Sequence, residues 1–205
     1  MEQQGEYKET KKGDNKFFAM LSRMKYINRW GLMRNTIREN IAEHSLETAM
    51  IAHALAVINN VYYGGTINPD RVAVYAMYHD VPEIITGDLP TPVKYFAPEI
   101  RESYQVVEEA AVKKLLASMP EKMRDVYAAV LKEEAREEEY QTLVKAADKL
   151  SALVKCVEEK KMGNQDFLEA EKATKKAILQ LDCKEADFFM REFLEAYSLT
   201  LDEQA

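Results

Sequence analysis

Two histidines and two aspartates stand out because each falls near the apolar face of a predicted helix. They are His44, His79, Asp80 and Asp148. Burying such groups without a partner is costly, whereas imidazole nitrogens and carboxylate oxygens together suit divalent Mn, Co, Fe, Ni, Zn or Mg. Four protein ligands leave about two positions of an octahedron for water and a substrate oxygen. An open metal site of this kind activates water and polarises phosphorus.

The adjacent pair His79 and Asp80, taken alone, is more typical of a helix end that faces water. Its predicted position favours a metal site instead. A helix is predicted over residues 70–80, with a buried stripe that contains Val72, Ala73, Ala76 and Met77. His79 follows Val72 by seven residues and Asp80 follows Ala76 by four, so both are predicted to project near the buried side.

His44 and Asp148 each lie on a separate predicted helix. His44 is in the first turns of a helix over residues 41–61, whose apolar stripe includes Leu46, Ala49, Met50, Leu55, Val57 and Ile58. Asp148 lies within the apolar stripe of a helix over residues 140–160. The third histidine, His53, follows His44 by nine residues, about half a turn around the helix. We therefore expect His53 to be structural or at the surface.

Two further acids, Glu83 and Asp88, follow the His-Asp pair. Glu83 shares the face of His79 if the helix continues, although Pro82 favours a break. Glycine and proline residues predict a rigid, non-helical turn over residues 87–92, and functional residues often lie on such loops.

The whole chain is predicted to be all-α. Helical spacing of apolar residues predicts further helices over residues 15–27, 98–118, 121–132, 166–180 and 184–198. No strand alternation of any length is present. A chain of 205 residues corresponds to about one domain. We predict one helical bundle of roughly seven to nine helices over residues 15–205, preceded by a flexible arm, residues 1–14.

Composition limits the partners. The chain has 28 Lys and Arg against 35 Asp and Glu, a net charge of −7, so it is a poor candidate for binding nucleic acid polymers. Cys156 and Cys183 form no CxxC pair, which favours buried thiols in a reducing cytoplasm. The N-terminus lacks the apolar core of a signal peptide, and the most apolar stretch, residues 49–58, is too short to span a bilayer.

The ordered set His44, His79-Asp80 and Asp148 resembles the H…HD…D signature of the HD-domain metal-dependent phosphohydrolases. Over residues 17–205 the chain closely resembles the bacterial 5'-deoxynucleotidases of that superfamily. The segments that carry this resemblance are Asn28-Arg29-Trp30, Glu43-His44-Ser45, Tyr78-His79-Asp80, Glu83, Gly87-Asp88-Leu89-Pro90-Thr91-Pro92-Val93-Lys94-Tyr95-Phe96 and Lys145-Ala146-Ala147-Asp148.

The resemblance implies an HD-domain bundle that hydrolyses deoxyribonucleoside 5'-monophosphates to deoxyribonucleosides and phosphate. It also implies one divalent metal, often cobalt or manganese, and a homodimer. The implied metal ligands are His44, His79, Asp80 and Asp148. Arg29 would hold the phosphate, Trp30 would line the sugar side and Asp88 would contact the substrate near the sugar hydroxyl. The implied substrate-binding set also includes His44, Glu133, Glu134, Ala135 and Arg136.

Elementary chemistry agrees with this implied site. A phosphomonoester carries nearly two negative charges, which a metal and the Arg29 guanidinium fork would neutralise. The catalytic candidates are Arg29, Glu83 and Asp88. Either carboxyl group could position the attacking water or protonate the leaving 5'-oxygen, and the sequence leaves the two roles open.

Two other functions are compatible with the pattern. The first is another HD phosphohydrolase acting on nucleoside triphosphates, ppGpp or cyclic dinucleotides. A triphosphate would need more Lys and Arg around the metal than Arg29 and its neighbours provide, which argues against this function. The second is a non-catalytic helical module stapled by a metal. Glu83 and Asp88 argue against that module, because they are surplus to the four implied ligands.

Overall fold

The computed structural model describes residues 13–94, 96–132 and 137–205. Across these ranges the protein is all-α, as predicted, with one isolated antiparallel bridge between Asn28 and Asn40 and no strand. Seven helices have nine or more residues and three are single turns. The helices are α1 (Phe17–Leu21), α2 (Ile41–Tyr63), α3 (Pro69–Met77), α4 (Glu83–Thr86), α5 (Thr91–Lys94), α6 (Pro98–Ala117), α7 (Glu121–Leu131), α8 (Glu138–Lys161), α9 (Leu168–Leu179) and α10 (Lys184–Glu192).

Helix α2 has well-defined ends. The Asn40 side chain accepts hydrogen bonds from the backbone N–H groups of Ala42 and Glu43, and the Glu43 carboxylate accepts one from the Asn40 N–H. This capping box satisfies backbone donors that a helix start leaves unpaired. The helix ends at Gly64, whose φ of +70° is a left-handed conformation that glycine adopts readily. The cap therefore fixes His44 in the first turns of α2.

The centre of the bundle is the packing of α2 against α3 and α8. A short loop joins α2 to α3, and the two helices run antiparallel, because His44 at the start of α2 lies beside His79 just after α3, with ring centroids 5.2 Å apart. The buried residues of these three helices include larger apolar side chains, such as Leu55, Tyr75 and Leu150, and six alanines: Ala49, Ala52, Ala56, Ala76, Ala146 and Ala147. A second buried cluster lies under α1, α4, α6 and α7 and includes Phe17, Ile41, Val81, Ile84, Leu115 and Met119.

The predicted apolar stripe of α2 was only partly right. Ala49, Leu55 and Ile58 are buried, whereas Leu46, Met50 and Val57 are exposed. The face that packs on α3 and α8 instead uses small and polar residues, among them His44, Ser45, Thr48, Ala52, Ala56 and Asn59. Met77 of α3, also predicted as buried, is exposed. Large apolar residues thus lie on both the buried and the exposed faces of these helices and do not by themselves distinguish the two.

The prediction of a helix through residue 80 was wrong. Helix α3 ends at Met77, and His79, Asp80 and Pro82 lie in a hydrogen-bonded turn before α4. A proline ring clashes with the carbonyl four residues earlier, which here belongs to Tyr78, so Pro82 stops the helix from continuing. Glu83 opens α4 and does not share a continuous helix with the His-Asp pair.

Other element boundaries also differ from prediction. The helix predicted over residues 15–27 is α1 followed by a 3-10 turn, Ser22–Tyr26. The predicted helix over residues 184–198 is divided at Phe193 into α10 and a 3-10 turn. Helix α5 starts inside the stretch predicted as non-helical. The predicted arm lies outside the described residues except for Gly13 and Asp14. Within the described ranges, no helix is long and apolar enough to cross a membrane.

A buried ion pair attaches the loop before α2 to helix α8. The Glu159 carboxylate accepts hydrogen bonds from the backbone N–H groups of Thr36 and Ile37, at 2.9 and 3.1 Å, and from the Asn164 amide at 2.7 Å. Lys155 donates to Glu159 and to the Ile37 carbonyl. Burial acts to raise the pKa of Glu159, but these donors outweigh it and lower the pKa to about 2.

We predict that Glu159→Gln destabilises the fold at pH 7 by about 3 kcal/mol, at about 1.4 kcal/mol per pKa unit. The folded pKa of about 2 lies below the ordinary value of 4.5, so this stability is present above pH 4.5 and is lost as the pH falls towards 2. Urea unfolding should therefore show a gap between wild type and variant that is largest at pH 7 and roughly halved at pH 3.

Glu169→Gln is the matched control, because Glu169 pairs with Lys172 on the exposed surface of α9. Exposed ion pairs contribute little to stability, so this variant should unfold like the wild type. A Glu159→Gln variant with wild-type stability at pH 7 would show that the loop is held by other contacts.

Candidate metal and phosphate site

Three parts of the chain bring the four predicted ligands together. His44 comes from α2, His79 and Asp80 from the turn after α3, and Asp148 from α8. The His44 Nε2 atom lies 3.1 Å from Asp148 Oδ1 and 3.4 Å from Asp80 Oδ2. The His79 Nε2 atom lies 3.1 Å from Asp80 Oδ1 and 3.8 Å from Asp148 Oδ1. Potential ligand atoms of His44, His79 and Asp80 all lie within 4.8 Å of one another.

The hydrogen bonding of His79 fits a metal ligand. Its Nδ1 atom lies 2.6 Å from the Ala76 carbonyl oxygen, which can only accept, so Nδ1 carries a proton and donates it. Its Nε2 atom is buried and has no hydrogen-bond partner within the described structure. The neutral ring thus presents an Nε2 lone pair to two carboxylates. A divalent cation fits between them, because two nitrogens and two carboxylates form a common donor set for such ions.

The electrostatics of the cluster favour added positive charge. Burial acts to lower the pKa of His79, but the carboxylates of Asp80 and Asp148 outweigh it and raise the pKa. Burial acts to raise the pKa of Asp148, yet the neighbouring imidazoles of His44 and His79 hold that pKa well below the ordinary value. The same fields that stabilise a proton on His79 would stabilise a bound cation.

Ser151 and Glu47 support His44 from the side away from the carboxylates. The Ser151 Oγ atom lies 3.0 Å from His44 Nδ1 and donates a hydrogen bond of 2.5 Å to Glu47 Oε2. In the tautomer that carries its proton on Nδ1, the Ser151 hydroxyl accepts from His44, and the His44 Nε2 lone pair is left for a metal. Arg29 Nη1 also lies 2.8 Å from Nδ1, and because guanidinium only donates, that contact requires the other tautomer.

We predict that Ser151→Ala weakens divalent-metal binding by about 10- to 100-fold, because His44 loses the acceptor that fixes its metal-binding tautomer. Competition with a chromophoric chelator measures this affinity without any substrate. Ser45→Ala is the matched control: Ser45 is buried next to His44, and its Oγ has no partner within the described residues. Equal affinities in the two variants would contradict the role of Ser151.

Arg29 lies at the edge of the cluster. Its Nη1 atom donates to Glu39 Oε2 at 3.0 Å, and its Nη2 atom lies 3.9 Å from Asp148 Oδ1. Burial acts to lower the pKa of Arg29, but Glu39, Asp148, Asp80 and Asp88 together raise it. Arg29 is thus a permanent cation beside the predicted metal ligands, which suits it to a phosphate group.

Trp30 is held in an unusual conformation next to Arg29. Its φ of +60° is a left-handed value that bulky residues rarely adopt. The indole N–H donates to Glu39 Oε2 at 2.9 Å, and the ring lies against Phe167, with centroids 5.2 Å apart. The Arg29 guanidinium lies 5.9 Å from the ring centroid. A strained backbone held by several contacts is typical of a functional position.

Glu83 and Asp88 flank the cluster on the side of α4. The Glu83 Oε2 atom is buried without a hydrogen-bond partner in the described ranges. Burial, followed by the charges of Asp80 and Asp88, raises the pKa of Glu83 to about 10. Burial also raises the pKa of Asp88, while Arg29 and the backbone N–H of Trp30 oppose the shift. The charge of Asp80 therefore acts on both carboxyl groups and raises the pKa of each.

The remaining predicted residues fall into two groups. The substrate-binding candidates Glu133, Glu134, Ala135 and Arg136 lie outside the described residues. His53 is half exposed and lies 3.8 Å from Asp70, away from the cluster, in line with its predicted surface position.

Sequence reasoning missed Glu39, Glu47 and Ser151. Two of them carry a signal: Glu47 follows His44 by three residues and Ser151 follows Asp148 by three, a spacing that places residues on one helix face. Glu39 has no such signal, because it reaches Arg29 only through tertiary structure.

The fold is that of the HD-domain phosphohydrolases. An HD-domain phosphohydrolase from Listeria innocua is 26% identical, with a TM-score of 0.79 over 89% of this chain and 88% of that one. The cyanophage S-2L HD phosphohydrolase DatZ, bound to dA and one catalytic Zn²⁺ ion, has a TM-score of 0.62 over 93% of this chain and 99% of that one. At 19% identity the likeness to DatZ concerns the fold alone.

Sequence comparison is more specific. The profile of the family described as 5'-deoxynucleotidase YfbR-like matches residues 16–197. A 5'-deoxynucleotidase from Cronobacter sakazakii is 50% identical over 91% of this chain and 94% of that protein. The 5'-deoxynucleotidase YfbR of Escherichia coli is 49% identical over the same shares. The chain belongs to the YfbR-like 5'-deoxynucleotidase family.

Proposed function

We propose that the chain is a metal-dependent 5'-deoxynucleotidase that hydrolyses deoxyribonucleoside 5'-monophosphates to deoxyribonucleosides and phosphate. The observation that carries this function is the placement of the Arg29 guanidinium beside two imidazoles and two carboxylates suited to a divalent cation. Half of the residues are shared with a curated 5'-deoxynucleotidase over nearly the whole chain, which supports the same reaction.

The phosphate is bound between Arg29 and the His-Asp cluster. His44, His79, Asp80 and Asp148 hold one divalent cation, for which we propose cobalt or manganese. When bound, such a cation neutralises phosphate charge and activates water for attack on phosphorus. Arg29 orients the phosphoryl group for that attack, because its planar fork can donate to two oxygens at once.

Glu83 is the proposed proton donor to the leaving 5'-oxygen. Its carboxyl is buried and has no hydrogen-bond partner in the described part of the chain, and its raised pKa keeps it protonated at neutral pH. A cation held by Asp80 would lower that pKa towards the working range of a general acid. We propose that Asp88, whose pKa is raised by burial and lowered by the nearby Arg29, contacts the sugar near its hydroxyl.

Trp30 is proposed as the wall that excludes ribonucleotides. An apolar pocket rejects an added hydroxyl only weakly, by about a hundredfold, whereas a rigid ring can exclude it by steric clash. The indole is rigid here because Glu39 and Phe167 hold it. We propose that Glu133, Glu134, Ala135 and Arg136 line the nucleoside pocket.

Residues 15–205 are proposed to form one domain. We also propose a cytoplasmic location, because the buried free thiols of Cys156 and Cys183 suit a reducing compartment.

The reaction is tested by phosphate release from metal-stripped protein supplied with Co, Mn, Mg or no metal. We expect release from dAMP and little from AMP, only with metal. Asp80→Ala should abolish both metal binding and turnover, because it removes a ligand. Asp187→Ala, an acidic residue on α10 away from the cluster, is the control and should retain both. Release of pyrophosphate or triphosphate from nucleoside triphosphates would overturn the assignment, as would bound metal without turnover of any monophosphate.

A homodimer is proposed through the exposed face of α2 and α3. The contact between His53 and Asp70 places the two exposed faces side by side, and the antiparallel direction then brings Met50 alongside Val74. The exposed apolar side chains of this face are Leu46, Met50, Val57, Val61, Val74 and Met77. An exposed face that is largely apolar around the His53–Asp70 pair suits an interface with the same face of a second copy.

We predict that Met50→Glu converts the dimer to a monomer, because it places a charge at the centre of the apolar contact. Light scattering coupled to size-exclusion chromatography measures the mass. Val106→Glu changes an exposed valine on α6 in the same way and should leave the dimer intact. A monomeric wild type, or dissociation by Val106→Glu alone, would exclude the α2–α3 face.

A further inference from the structure

We propose that Glu39 is the positioning residue of the substrate site, because one of its carboxylate oxygens holds both the phosphate-binding Arg29 and the sugar-side Trp30. The inference rests on the proposed function for the roles of these two residues. The hydrogen bonds that carry it are properties of the chain itself.

The contacts of Glu39 are direct and shielded from water. Its Oε2 atom accepts from Arg29 Nη1 at 3.0 Å and from Trp30 Nε1 at 2.9 Å. The side chains of Arg29 and Glu39 are each only 12% exposed. Water is therefore poorly placed to replace these bonds if the carboxylate is removed.

The backbone fixes Glu39 relative to the metal-binding frame. The Arg29 N–H donates to the Glu39 carbonyl at 2.9 Å, and the Ile41 N–H donates to the Ile27 carbonyl at 3.0 Å. These bonds flank the Asn28–Asn40 bridge and form a short antiparallel clip. Helix α2 starts immediately after the clip. Glu39 thus links the position of Arg29 and Trp30 to the helix that carries His44.

Each of the two residues needs this anchor. Trp30 has a strained backbone at φ +60°, which persists only when surrounding contacts hold it. For Arg29, Glu39 binds Nη1, the nitrogen that also contacts His44 Nδ1, while Nη2 lies on the side of Asp148. Glu39 therefore fixes how the guanidinium is oriented against His44 and Asp148. A residue that merely neutralised the buried charge of Arg29 would not need to bind the indole as well.

Tryptophan fluorescence reports on the environment of the Trp30 indole alone, because Trp30 is the chain's single tryptophan. We expect Glu39→Ala, in metal-free and substrate-free protein, to shift the emission maximum and increase quenching by acrylamide severalfold. Glu39→Gln should resemble the wild type, because its amide oxygen still accepts from the indole N–H. Glu43→Ala removes a nearby capping carboxylate that touches neither residue and is the matched control.

Kinetic measurements test whether Glu39 affects substrate binding and the preference for dAMP over AMP. Glu39→Ala should raise the KM for dAMP at least tenfold and lower the preference for dAMP over AMP severalfold. Glu39→Gln should keep that preference yet raise the KM, because a neutral acceptor holds guanidinium about half as strongly as a carboxylate does. A purely structural role would lower the melting temperature of Glu39→Ala without changing the nucleotide preference.

The outcomes separate this inference from the proposed function. Wild-type emission and nucleotide preference in Glu39→Ala would overturn it. If Glu39→Ala does not fold, Glu39→Asp replaces it: the charge remains but the carboxylate is one methylene short, so the emission must shift. If the wild type hydrolyses neither nucleotide, the proposed function fails, while the emission comparison still decides whether Glu39 holds Trp30.

Discussion

The structure depends on a largely buried cluster of four polar side chains, His44, His79, Asp80 and Asp148. Two imidazoles and two carboxylates meet where α2, α3 and α8 come together, and the His79 Nε2 atom finds no hydrogen-bond partner there within the described residues. In an ordinary core this arrangement would be unfavourable. It becomes favourable when a cation occupies the centre, so stability is exchanged for a preformed binding site. Arg29 is also buried beside this cluster. Burial acts to lower its pKa, but the surrounding acids outweigh that effect and keep Arg29 charged.

Further side chains, increasingly distant from the cluster, hold the residues of the site in place. Ser151 and Glu47 contact His44 from behind, and Glu39 contacts Arg29 and Trp30. Farther out, the ion pair of Lys155 and Glu159 attaches the loop that follows Trp30 to α8. Each layer is made of buried, charged hydrogen bonds, which are geometrically demanding. The side chains of His44, Arg29 and Trp30 are thus held by contacts within the protein.

Much of this arrangement could be predicted from residue types and spacing, and the failures have identifiable causes. His44 and Asp148 were correctly predicted to lie on helices, because periodicity over long helices is a strong signal. The elements around His79 and Asp80 were misplaced, because Pro82 ends α3 earlier than the apolar pattern indicates. Leu46 and Met50 were assigned to the core because they are apolar, whereas the buried face of α2 also uses polar residues and alanines. Glu39 depends on a clip between distant residues that local patterns do not reveal.

The alanines between the central helices have a consequence for how the site can evolve. Ala52 and Ala56 of α2, Ala76 of α3 and Ala147 of α8 are fully buried where the helices meet. A methyl group is the smallest side chain that fills such a contact, so these positions set the distance between the helix axes. The spacing of the four donor side chains is therefore set in part by residues that lie outside the cluster. A larger residue at one of these alanines would change that spacing while all four donor residues stayed the same.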